Sequence, residues 1–352
     1  MRKQKKIKWG KWIFMSILVL ILVTVLTLII NNRIYALKYN KLDTNSKHLS
    51  NKEILAVKGV YEYLDNYGNI IFKDFDANKD LIIYNGSYEF LLSDSVEIQG
   101  WDFISKNEEL QKNIHRKIAD NPQAFAVLAG EKWVGSMSTK NHFNKFIISN
   151  IPVFFPPQLM SMDEDHYKAT IIHEMVHAHE AKQNKERFLK LKSLHNVGEK
   201  YYNNSVFNDL IGQEASYLEQ ATVSEDREIV LENAKRFIEI RNKRRKECKM
   251  SSAEIQNEKD IEWLEGLARY AEYKASRNSN SLIAKNLGDI DQKVKVKGDD
   301  RYYTLGMAQA LILDKLQKDW KNELFTGNFS MEVYLGKIIE KSNRGYENQN
   351  KY

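Results

Sequence analysis

His173 and His177 stand four residues apart, with Glu174 directly after the first, in the run His173-Glu174-Met175-Val176-His177. On a helix that spacing puts both imidazoles on one face, about one turn apart. Both can therefore reach a single metal ion, and Glu174 lies where it can take a proton from a water at that ion. The pattern reads as the core of a zinc-dependent hydrolase. A surface helix with a coincidental His/Glu cluster is the plain alternative. The surroundings weigh against it, because Ala169, Ile171, Ile172, Met175, Val176 and Ala178 make this helix mostly apolar. A histidine buried there needs a partner, since an unsatisfied polar group in an apolar setting is costly. Ser161, Asp163, Glu164 and Asp165 suit a helix start near 162–166. His179 and Glu180 are expected as solvated residues or supports behind the ligands, not as ligands.

Two histidines are too few for a catalytic zinc site, which takes three protein ligands and a water. A third histidine ten residues after His173 is absent, since that position is Gln183. The remaining downstream histidine, His195, lies in a polar stretch and is expected to be exposed. A glutamate is the better candidate. Glu214, in Gln-Glu-Ala-Ser-Tyr, is one choice by sequence distance.

The segment Trp263-Leu-Glu265-Gly266-Leu-Ala-Arg-Tyr270-Ala-Glu272 resembles the W-x-x-E-G-x-x-x-Y-x-E segment of gluzincin metallopeptidases, above all the aminopeptidase N-like group. It has one residue fewer between the tryptophan and the first glutamate. The resemblance implies that Glu265 is the third zinc ligand and that Glu272, two turns on, hydrogen-bonds a ligand histidine from behind. Gly266 would permit close helix packing beside the metal. Tyr303-Thr-Leu-Gly306 is similar to the Y-x-x-G of the same enzymes, which implies that Tyr303 donates a hydrogen bond to the tetrahedral intermediate. Tyr302, next to it, could take that role instead. The resemblance covers these three short segments, thermolysin-like enzymes included. The 88 residues from His177 to Glu265 make a longer gap than those enzymes have. The G-x-M-E-N element that binds substrate amino termini in the aminopeptidases is missing, with only a faint echo in Gly135-Ser-Met137-Ser-Thr139.

Together these segments imply one zinc ion held by His173, His177 and Glu265, Glu174 as general base and Tyr303 at the oxyanion, acting on a peptide or protein substrate. The lack of an amino-terminus-binding element favours endopeptidase action. A strand within 132–155 is expected to border the cleft and pair with an extended peptide. Two other functions fit the same residues: a non-catalytic surface protein on a zincin scaffold, and a zinc hydrolase of a non-peptide amide.

The elements that must position this chemistry follow a membrane signal. Arg2, Lys3, Lys5, Lys6, Lys8 and Lys11 precede Ile13–Ile30, eighteen residues without a charge. That run spans roughly 27 Å as a helix, enough to cross a bilayer. Trp9 and Trp12 sit at interfacial positions. A signal peptide cleaved after Ile34-Tyr35-Ala36 competes, but the run is long for a signal peptide, which favours an uncleaved signal-anchor. The positive-inside rule then places residues 31–352 outside the cytoplasm. The formal charge of +6 is held entirely by the six basic residues of 1–30, which contain no acid. The remainder is neutral, so the net charge gives no support for a nucleic-acid partner, which needs a basic face on the folded domain, and none is expected. Cys248, the single cysteine, excludes an intrachain disulfide and a cysteine zinc cage. The roughly 320 residues beyond the anchor suffice for one large or two small domains.

The chain is expected to divide into a basic tail (1–12), the anchor (13–30), a polar stalk (31–50), an α/β part (51–160) and a helical zinc-binding part (161–345). A helix is expected over Glu53–Tyr63 and another over Glu108–Ala119. Strands are expected at Ile70–Phe72, Leu81–Tyr84, Tyr88–Leu92, Lys132–Met137, Phe146–Ile148 and Ile151–Phe155, with a hairpin at Asn85-Gly86. No proline occurs after Pro157. A long helix is expected over Gln213–Glu247, its basic end Arg241–Lys246 solvated or touching anionic lipid or wall polymer. Ser251-x-x-Glu254 is a capping box opening a helix to about Ser276. The fold class is α+β and zincin-like: an N-terminal mixed sheet with helices, a mainly α-helical C-terminal subdomain, and one N-terminal transmembrane helix.

Overall fold

The computed structural model describes residues 2–40, 45–75, 79–150, 156 and 161–349. Helix α1 runs over Arg2–Asn40, ten residues past the apolar stretch, so half of the expected stalk is helical. Its span Trp9–Lys38 is long and apolar enough to cross a membrane and is unburied, as fits a single-pass anchor or a signal sequence.

Ser50 and Glu53 form a reciprocal capping box that starts α2, Asn51–Ile71. This helix absorbs the strand expected at Ile70–Phe72: Val57, Val60, Leu64 and Ile71 share one helical face and are buried, so period 3.6 overrides the short apolar run. Six strands follow: β1 Leu81–Tyr84, β2 Tyr88–Ser93, β3 Asp102–Asn107, β4 Lys112–Ile118, β5 Phe125–Ala129 and β6 Lys132–Ser138. Their order is β3-β4-β2-β1-β6-β5. Among the described residues only β1 and β6 pair in parallel. The hairpin at Asn85 forms as expected, and the Asn85 side chain accepts from the Ser87 and Tyr88 amides.

The expected helix over Glu108–Ala119 is instead a turn and strand β4. Its residues pair with β2 on one side and β3 on the other, and that two-sided pairing outweighs helix propensity. Phe146–Ile148 falls in helix α3, Lys140–Asn150, not in a strand. Ile151–Phe155 lies outside the described residues.

From residue 164 on the chain is helical: α4 Glu164–Gln183, α5 Lys185–Leu191, α6 Ser205–Val223, α7 Arg227–Glu247, α8 Ser252–Ala275, short α9 Leu282–Lys285 and α10 Ile290–Lys295, α11 Asp300–Leu316, and α12 Met331–Gln349. The capping box at Ser251 and Glu254 opens α8 as expected. The single helix expected over Gln213–Glu247 is two. Asp226 caps α7 by accepting from the Glu228 and Ile229 amides, and the chain turns at Ser224.

The basic end of α7 is divided: Lys243 and Lys246 are solvated, as expected of the whole run, but the three arginines are not. Arg241, Arg244 and Arg245 are buried. They pair with Glu214 on α6, Glu258 and Glu262 on α8, and Glu332 on α12. Four helices are thereby locked in register. One continuous hydrophobic core runs from α2 and the sheet through α4 to α8, α11 and α12.

Candidate metal centre

Helix α4 is buried on nearly all sides between His166 and Ala181, its histidines and glutamates included, so it lies in the core. Its start is fixed by Asp163, which accepts from the His166 amide and from Ser279 Oγ and the Asn280 and Ser281 amides beyond α8. Strand β6 lies directly on α4: a Cβ at Gly135 would stand 3.0 Å from the Met175 backbone. Only glycine permits that approach.

Helix α8 crosses α4 and brings Glu265 to the histidine pair. Glu265 Oε2 lies 3.5 Å from His173 Nε2 and 3.5 Å from His177 Nε2. Those separations are long for charge-assisted hydrogen bonds. They match the roughly 3.3 Å edges of a tetrahedron whose centre-to-ligand distance is about 2.0 Å. The three residues form a group that could hold a metal ion. Helix α8 is in turn packed tightly on α11, since a Cβ on Gly266 would meet Gly306 Cα of α11 at 2.6 Å. That contact is the close helix packing expected of Gly266.

Each histidine is fixed from behind. His173 Nδ1 is 3.0 Å from Glu272 Oε2, and His177 Nδ1 is 2.9 Å from Glu180 Oε2. Both arrangements leave Nε2 turned toward Glu265, the orientation a metal ligand needs. His166 Nε2 stands 4.0 Å from the other Glu272 oxygen, and its Nδ1 is 2.9 Å from Ser281 Oγ. Glu180 is fully buried, which corrects the expectation of a solvated residue and leaves its supporting role. His179, also buried, packs among Phe72, Phe75 and Phe325.

Burial works against charging His173, yet the Glu265 and Glu272 carboxylates beside it carry it up to about 9. His177 is raised for the same reason, with Glu265 and Glu180 outweighing burial. Glu265 is the converse: burial would raise it, but the two histidines hold it well below the usual carboxylate range. Glu174 is pushed up to about 7 by burial, against the pull of His173 and His177. A carboxyl poised near neutrality suits a general base.

Tyr303, in the first turn of α11, is half-buried and lies under the Arg269 guanidinium, 5.5 Å from the ring centroid. Burial and then the Glu265 charge push its phenol up. Tyr302 points elsewhere: it is fully buried beneath Gly198, and burial, then the Glu258 charge, pushes its phenol up. Glu214 is not at the cluster. It accepts from Arg241 Nε at 2.8 Å and also pairs with Arg244. His195 and Gln183 are exposed.

The strand expected within 132–155 is β6, which lies on α4 beside Glu174 and Met175, but it is paired on both sides by β1 and β5 and offers no edge to a peptide. Among the described residues the sheet edge on this side belongs to β5, whose Phe125 ring lies 4.5 Å from that of His177. The sequence did not point to Tyr84, a phenol at the end of β1 raised by burial and by the Glu174 charge. Of the two roles expected of Glu180, the supporting one holds, as its i+3 spacing from His177 on one helix allows. Nothing local to Phe125 or Tyr84 marked them. Comparison with family models, with curated proteins and with solved structures finds no match.

Proposed function

We propose that this chain is a membrane-anchored, zinc-dependent metallopeptidase of gluzincin type, with an endopeptidase preference and its catalytic part outside the cytoplasm. The observation that carries the reading is the pair of 3.5 Å separations from Glu265 Oε2 to the two histidine Nε2 atoms, with both Nδ1 atoms engaged by carboxylates. The zincin-like arrangement rests on the same geometry, a helix bearing His173 and His177 beneath a sheet with a glutamate returned from a later helix. The chemistry that a zinc ion supplies when bound there is polarisation of the scissile carbonyl and a lower water pKa.

The remaining steps fall to side chains. Glu174 takes the proton of the attacking water and passes it to the leaving amine, a role its elevated pKa of about 7 favours. Tyr303 donates a hydrogen bond to the developing oxyanion. The open edge of β5 pairs with an extended substrate and lays it past Phe125 toward the histidines. The six basic residues before the apolar run support a cytoplasmic N-terminus.

Metal analysis and peptide-library cleavage by the purified chain test the proposal. Parent protein is expected to contain about one zinc per chain and to cleave peptides. Glu174→Gln should keep the zinc and lose at least about 100-fold in rate. A Glu174→Gln variant as fast as the parent would refute the mechanism, and a parent that binds zinc without cleaving peptides would refute the substrate class.

A further inference from the structure

On the far flank of α4 and α8 from the histidines, α2, α4, α8 and the turn at Lys318–Asn322 enclose a second cavity of about 970 Å³. On α8, Tyr270 and Lys274 lie roughly opposite Glu265 and Glu272 around the helix, so this cavity is separate from the metal centre. Its inner end is built around Asp314, which accepts from Tyr270 Oη at 2.6 Å and from Trp320 Nε1 at 3.1 Å. Asp314 also pairs with two ammonium groups, Lys274 at 2.9 Å and Lys321 at 3.1 Å. Two partly buried lysines thus share one carboxylate. Burial, with Lys274 adding to it, holds Lys321 below the usual lysine value, as expected of an ammonium short of counter-charge.

At the mouth stand Lys73, Arg277 and Lys318, none with a carboxylate partner among the described residues, and the Lys168–Asp165 pair. Asp319 is the remaining acid of the lining. Six cations therefore face three carboxylates. Tyr63, Tyr67 and Tyr270 supply flat apolar walls beside them. A compact ligand with several negative charges answers this excess, and phosphate oxygens suit a mixed lysine and arginine lining.

We infer that this cavity is a binding site for a polyvalent phosphate-bearing ligand, separate from the metal centre. Either a soluble polyphosphate-like anion or a lipid headgroup could present that chemistry. The inference does not depend on the peptidase reading.

The test uses the full-length chain in neutral detergent, treated with chelator so that the probe cannot act through a metal ion. Inorganic tripolyphosphate, titrated at about 0.15 M salt, is expected to bind saturably at one site. The double variant Arg277→Gln/Lys318→Gln, which alters two exposed side chains, should bind at least about tenfold more weakly with its unfolding midpoint unchanged. Lys73→Gln offers an independent single-charge check and should weaken binding in the same direction. Charge-dependent competition by short-chain phosphatidylglycerol below its micelle concentration would assign the phosphate to a lipid headgroup; absence of competition would assign it to a soluble anion. Failure of tripolyphosphate to saturate, or equal binding by parent and double variant, would overturn the inference.

Discussion

Glu180 Oε2 lies 2.9 Å from His177 Nδ1, three residues away on the same helix and fully buried. With the 3.0 Å approach of Glu272 to His173, it leaves both Nε2 atoms free on the side that faces Glu265. Supports of this kind set ring orientation and ligand basicity. Glu180→Gln is accordingly expected to weaken zinc binding by about 10- to 100-fold while leaving the fold intact. Competition titration with a zinc chelator reads this directly, and unchanged affinity would remove Glu180 from the site.

The choice of third ligand separates by two readouts. Glu265→Ala should lose zinc with little change in global stability. Glu214→Ala should keep zinc in its folded fraction, yet lose about 3–5 kcal/mol, because Arg241 and Arg244 are left buried without their shared carboxylate. Zinc content and denaturant midpoints, measured on the same preparations, distinguish the two. Zinc lost from folded Glu214→Ala would count against Glu265.

Gly306→Ala should be severe for its size. Its Cβ would stand 2.5 Å from the Glu262 carbonyl and 2.8 Å from Gly266 Cα, so α8 and α11 must separate. Overpacking of this kind costs about 1–3 kcal/mol or more, and here it also displaces Glu265. Stability and zinc affinity are expected to fall together. A variant with parental values of both would show that the helix pair can yield.

Acid stability carries a signature of the arginine cluster. Burial would raise the Glu332 carboxyl, but Arg241 and Arg245 hold it well below the ordinary range. The folded chain therefore stays unprotonated there at pH values where the unfolded chain takes up a proton. The contribution is complete above the unfolded carboxylate value, about 4.3, and is lost as pH falls below it. Glu332→Gln should flatten the stability profile below about pH 4 and lower stability at neutral pH. Denaturant melts across that range check it; an unchanged acid limb would assign the loss to other carboxylates.

Removing only the phenolic hydroxyl in Tyr303→Phe should lower kcat by about 10- to 1,000-fold with zinc content retained. Tyr302→Phe should leave kcat within about twofold, since its phenol is fully buried against Gly198. Steady-state kinetics on both variants decides between the neighbours, and the reverse pattern would reassign the donor.

Much of the site was legible because its signals are local. The helix of His173 and His177, its start at Asp163, the capping box at Ser251 and the hairpin at Asn85 each depend on contacts within a few residues. Two of the errors share a cause. Residues 112–118 pair with β2 and β3, partners distant in sequence. Likewise Arg241, Arg244 and Arg245 read as a solvated basic run until their glutamates arrive from three other helices. Local pattern carries no information on such partners.

The sequence by itself determined that His173 and His177 share a helical face, that Glu174 sits beside them, and that an apolar helix precedes the rest. Spacing on a regular helix is fixed by its 3.6-residue turn and needs no tertiary knowledge. Only the tertiary structure decided between Glu214 and Glu265. Both are glutamates on helices, and what separates them is which helix crosses α4: α8, packed on α11 through Gly266 and Gly306, brings Glu265 to the histidines, while Arg241 and Arg244 hold Glu214 within the helical core.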